Sequence, residues 1–109
     1  MLALPANVRI FLCQQPVDLR KGFEGLGGLI ETLFDESVMC GAYFAFFNKQ
    51  KNRLKVLYWD EDGLAIWYKR LEKGTFKTRL RPGSSLERRE FLMMLEGVTP
   101  MALQKRFRG

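Results

Sequence analysis

The chain has no histidine and only two cysteines, Cys13 and Cys40. A structural zinc site draws on four Cys or His ligands, so the count excludes one. Serine and cysteine nucleophiles activated by an imidazole are excluded with it. Acid–base chemistry would fall to carboxylates or lysines. The two cysteines are not spaced as Cys-x-x-Cys, and in a reducing compartment they are not expected to pair. Both are expected to be buried as small apolar side chains. No apolar run approaches the ~20 residues that span a bilayer. The opening Met1-Leu2-Ala3-Leu4-Pro5 lacks the basic stretch and apolar core of a secretory signal. Cytoplasmic residence and no membrane partner are the expectation. There is no internal repeat, low-complexity tract or linker. The 109 residues are expected to form one domain, with a core over about 8–97 and a basic tail over 98–109.

Positive charge is abundant and unevenly placed. The formal net charge is +6, and ten basic residues fall between Lys49 and Arg81 against four acids. That central third therefore carries an excess equal to the whole net charge. A clustered positive field predicts a polyanionic partner.

The apolar pattern predicts an α+β fold: an antiparallel β-meander packed by an N-terminal helix, with a C-terminal helix. Val8 to Leu12 alternates apolar with basic and reads as a short strand. Asp18 is a candidate N-cap, and the apolar residues from Leu19 to Phe34 recur at helical spacing. The stripe Leu19, Phe23, Leu26, Ile30 and Leu33 is expected in the core. Gly22, Gly25, Gly27 and Gly28 weaken this helix, which implies that its backbone approaches a sheet closely. The meander is read as Ala42–Phe47, Leu54–Trp59, Leu64–Leu71 and Phe76–Leu80. Its turns are Asn48–Asn52, Asp60–Gly63 with Gly63 free to take positive φ, and Glu72–Gly74. Ser84 and Glu87 have the spacing of a capping box, and the helix behind them is expected to end at Gly97.

Strand alternation sorts the charges by face. Lys77, Arg79 and Arg81 alternate on the fourth strand. Arg53, Lys55 and Trp59 share a face of the second, and Trp67 shares a face with Lys69 on the third, next to Arg70. One sheet surface could thus join cations for phosphates to aromatics for bases. The other reading is a solvated basic face with the tryptophans in the core. Arg20 and Lys21 fall in the expected first turn of a helix, where the dipole disfavours cations. They either serve a partner or pair with Asp18 or Glu24. Asp60, Glu61 and Asp62, the one acidic cluster, read as a hairpin turn rather than a metal site, because adjacent acids on a turn point apart. No catalytic residue, metal or cofactor is implied.

Four stretches carry a family resemblance: Pro16-Val17-Asp18-Leu19-Arg20-Lys21-Gly22, Leu54-Lys55-Val56-Leu57-Tyr58-Trp59-Asp60, Trp67-Tyr68-Lys69-Arg70-Leu71-Glu72-Lys73-Gly74 with Phe76, and Leu95-Glu96-Gly97. In this order they resemble the TnpB accessory proteins, the second open reading frame of the insertion-sequence sixty-six type of bacterial transposable element. These are distinct from the RNA-guided nucleases that share the letters. The resemblance implies a non-enzymatic accessory role in transposition, beside a separate transposase that holds the catalytic carboxylates. It departs from the family pattern at Cys40-Gly41-Ala42, at Asn48-Lys49-Gln50-Lys51 and at Lys77-Thr78. The expected partners are element DNA and the transposase. The expected contacts are Arg20, Lys21, Arg53, Lys55, Lys69, Arg70, Lys77, Arg79 and Arg81 for phosphates, with Trp59 and Trp67 as stackers. The alternative is a module that docks on the transposase without touching DNA.

Overall fold

A computed structural model describes residues 2–77 and 85–96. Strand β1 (Ile10–Leu12) is followed by helix α1 (Phe23–Leu29), which runs on as a π-helical turn over Ile30–Phe34. Strands β2 (Tyr43–Phe47), β3 (Arg53–Asp60) and β4 (Gly63–Arg70) come next. A two-residue strand β5 (Ser85–Leu86) leads into helix α2 (Arg88–Leu95). The sheet order is β4-β3-β2-β1-β5. The fold is α+β, as the sequence predicts, but the sheet is mixed rather than purely antiparallel: β1 lies parallel to β2. The parallel pairing follows from the helical crossover between them, since a tight hairpin can join only antiparallel neighbours. Among the described residues, no helix is long and apolar enough to cross a membrane.

Both faces of the sheet are covered, and this explains β2. Tyr43, Phe44, Ala45, Phe46 and Phe47 are all buried, as a central strand between two covered faces requires. On one face Phe44, Phe46 and Leu57 pack with Leu26 and Ile30 of the α1 segment. On the other, Tyr43, Ala45, Phe47, Leu54 and Val56 pack with Phe91, Met94 and Leu95 of α2. Leu26 and Ile30 are completely buried, as predicted. Each contributes about 1.5–3 kcal/mol of apolar transfer.

The first helix departs from expectation in three ways. It begins at Phe23 after Gly22, not at Asp18. Asp18 instead folds a local turn, its carboxylate accepting the Arg20 backbone N–H at 3.0 Å. Because residues 19–22 are not helical, Phe23 loses its helical alignment with Leu19 and is exposed. The π turn then widens the helix, so Phe34 swings inward against Phe11 and Phe44 while Leu33 is exposed. Finally, the glycines do not face the sheet. A Cβ on Gly25 would meet Lys21 at 3.0 Å, one on Gly27 would meet Val38 at 3.4 Å, and one on Gly28 would meet nothing.

Other details also differ. At the β3–β4 turn the positive φ belongs to Glu61, not Gly63. Cys13 is buried but Cys40 is exposed. Phe76 and Lys77 are not in a strand; the Phe76 N–H donates to the Lys51 carbonyl in the β2–β3 loop. The remainder of the expected fourth strand, with Arg79 and Arg81, lies outside the described residues. So do Ser84, Gly97 and the tail. Glu87 is the N-cap of α2, one position before the helix rather than three into it as a capping box needs, and it makes no side-chain cap bond.

Candidate nucleic-acid interface

The β3–β4 hairpin decides which cations share a surface. Its two-residue turn pairs Asp60 with Gly63, and that register sets Lys55 opposite Tyr68 and Arg53 opposite Arg70. Directly opposed residues of an antiparallel pair point to one face. Arg53, Lys55, Tyr68 and Arg70 therefore lie on the face that α1 covers further along, beyond Leu57 and Ile66. The same register sets Trp67 opposite Val56 and Lys69 opposite Leu54. Those two are on the α2 face, so the expected single surface of Arg53, Lys55, Trp67 and Lys69 is not formed.

Trp67 packs partly buried against the α2-side core. The Lys69 ammonium donates to the Leu95 carbonyl at 3.1 Å, on the last residue of α2. The end of a helix leaves carbonyls without partners and carries partial negative charge, so a lysine is well matched to it. Lys69 is a structural tie, not a free cation. Trp59 shares the face of Lys55, but it lies six residues from Arg53, about 20 Å along the strand. It stands beside the acidic turn. Lys77 is exposed beyond the hairpin, its ammonium donating to Thr75 Oγ1 at 3.0 Å.

The other basic residues come together. The chain after β1 stays alongside β2, with the Cys13 and Val17 N–H groups donating to the Ala45 and Phe47 carbonyls at 2.9 and 2.8 Å. Pro16 to Arg20 thereby rises at the same end of β2 as the loop over 48–52. That loop is organised by Asn48. Its Oδ1 accepts the Asn52 and Arg53 N–H groups at 3.1 and 3.0 Å, and its Nδ2 donates to Asn52 Oδ1 at 2.6 Å. Lys51 takes a positive φ of 58° to close it. Between these two walls lies an open groove of about 790 Å³, with Arg20 on one side, Lys49 and Arg53 on the other, and Tyr68 beside them.

Tyr68 was not among the expected aromatic contacts, yet it is 48% exposed. The Lys55 ammonium stands 5.2 Å from its ring centroid and donates to the Lys21 backbone carbonyl at 3.0 Å; the Lys21 side chain itself runs along α1 at Gly25. Arg20 is held by Asp18, with 2.6 Å between Nη2 and Oδ2. The guanidinium keeps the Asp18 carboxyl well below the usual carboxylate range and is itself pushed up by that partner. Arg70 pairs with Glu72 at 3.3 Å. Arg53 has no acidic partner among the described residues.

A mixed sheet covered by helices on both faces, with a basic groove at one end, defines a small α+β protein. The chain belongs to the IS66 Orf2-like protein family, whose sequence profile matches residues 8–105. Two uncharacterized proteins of Sinorhizobium fredii are similar. One, y4jC, is 37% identical over 70% of this chain and 65% of its own length. The other, y4hO, is 30% identical over 70% of this chain and 66% of its own length. The chain thus spans slightly less than two thirds of the curated relatives it matches. No solved structure matches it.

Proposed function

We propose that the protein serves transposition by binding element DNA, alone or in complex with the transposase, through the basic surface around the groove. One observation carries this reading. Arg20, Arg53, Lys55 and Arg70 cluster around an exposed tyrosine, and two of these arginines are direct cross-strand partners. Like charges at such positions destabilise a sheet. A surface that keeps them together favours a polyanion, and phosphates supply the matching charge.

The test is fluorescence anisotropy on duplex DNA from the element's ends across a salt series. Changing Arg20, Arg53 and Arg70 together to Gln should weaken binding on every sequence. It should flatten the slope of log K against log salt by up to ~2.7, since each lost phosphate contact removes ~0.9. An unchanged slope, with the variant still binding the transposase as wild type does, would move the assignment to a module that docks on the transposase without touching DNA.

A further inference from the structure

We infer that the groove between Pro16–Arg20 and the 48–53 loop takes an unpaired nucleic-acid strand, with a base stacked on Tyr68 and its phosphates held by Arg53 and Arg20. This rests on the nucleic-acid reading above and narrows it to a class of ligand. The first ground is shape. The site is concave, and both walls are fixed before any ligand arrives, one by the Val17–Phe47 backbone bond and the other by the Asn48 side chain. A duplex is convex and presents phosphate ridges with its base faces hidden, so it would touch only the rims. An unpaired strand can enter and expose the flat face of a base.

The second ground is the tyrosine. Tyr68 is half exposed, and nothing in the core requires it there. Its strand neighbours Ile66 and Leu64 turn the same way and pack against the α1-side core, whereas Tyr68 extends past it. Lys55 stands over one face of the ring, and among the described residues no other ring or cation stacks on the remaining face. A ring polarised by a cation on one side and open on the other is a stacking platform, and such platforms accept any base. The third ground is the mixed lining. Pro16 and Val17 offer apolar contact suited to sugars and base edges, while the cations stand at both walls. A site for bare phosphate would not need the apolar floor.

The experiment uses the full chain with a fluorescein-labelled oligothymidine of about 12 nucleotides, free and annealed to its complement, at matched salt. The unpaired strand should bind more tightly than the duplex. Tyr68→Leu should lower affinity for the unpaired strand by roughly 5- to 150-fold, the range expected for losing one stacked base. Its effect on the duplex should be several-fold smaller, because the base faces are hidden there and phosphate contacts remain. Tyr68→Trp should restore binding to the unpaired strand, and circular dichroism with a thermal melt shows whether each variant is folded. Duplex binding with its salt slope intact, but with no preference for the unpaired strand and no effect of Tyr68→Leu, overturns this inference and leaves the proposed function standing. Failure to bind either form at low salt removes both.

Discussion

Lys55 and Lys69 sit on adjacent strands of one hairpin and end on opposite faces. Lys55 lies at the margin of the α1 face, over a half-exposed tyrosine and beside two arginines. Lys69 lies under α2 and closes the end of that helix. The same contrast separates their aromatic neighbours: Tyr68 is open to solvent, whereas Trp67 packs against the core. A basic residue's chemistry therefore says little about its use. Strand parity and the cover on each face decide whether a cation meets a partner or stabilises the fold.

The comparison depends first on α2 being seated on its face. Phe91 is fully buried there, and Phe91→Ala should cost about 3–5 kcal/mol in urea unfolding. Ile30→Ala, on the α1 face, should cost about 2–5 kcal/mol. A loss below about 1 kcal/mol for Phe91→Ala would mean α2 does not hold that face, since deleting a packed aromatic costs several times more. Lys69 would then lose its tie to the helix end, and the contrast would break.

The next pair of substitutions sharpens it. Lys69→Met should lower stability by about 1 kcal/mol through the lost bond to the helix end and leave the salt dependence of nucleic-acid binding unchanged. Arg53→Gln should leave stability near wild type. It should flatten the salt slope by ~0.7 on an unpaired strand and ~0.9 on a duplex. The reverse pattern, stability lost with Arg53 and salt dependence lost with Lys69, would place the functional surface under α2.

How far this was legible in the sequence depends on which level carried the information. Strand β1, the three strands β2 to β4 and the buried pair Leu26 and Ile30 followed from periodicity; the two-residue β5 did not. The sheet surface was misread for want of one step: a two-residue turn at Glu61-Asp62 fixes the register, and the register places Trp67 beside Val56 and Tyr68 beside Lys55. Both facts were present in the residues of the hairpin. The α1 segment was not legible in the same way. Spacing assumes 3.6 residues per turn, and neither the turn over residues 19–22 nor the π widening announces itself in apolar pattern. The groove was least legible. It arises where Pro16–Arg20 and the Asn48 loop meet at the end of β2, and β1 pairs with β2 in parallel across the α1 crossover. Nothing local in either segment indicates the other.

The smallest expected effect concerns the one acid on the groove wall. Asp18 accepts the Arg20 backbone N–H and its guanidinium, and the guanidinium holds the carboxyl far below its ordinary value of 3.8. A carboxyl lowered in the folded state contributes stability above its ordinary titration range, and that contribution is lost only as pH falls through the lower folded value. Asp18 therefore stays ionised throughout pH 5 to 8, and the chain has no histidine to titrate there. Nucleic-acid affinity should be flat across that window. Only substitution can neutralise the residue. Asp18→Asn keeps an oxygen to accept the Arg20 N–H, so the turn persists, while it releases the guanidinium and removes a negative charge from the groove. Affinity for the oligonucleotide should rise by about two- to fivefold at low salt and the gain should shrink as salt screens it. A fall in affinity would show instead that the carboxylate orients Arg20 for its contact, so that the ion pair acts as one unit and Arg20 is not a cation waiting to be freed.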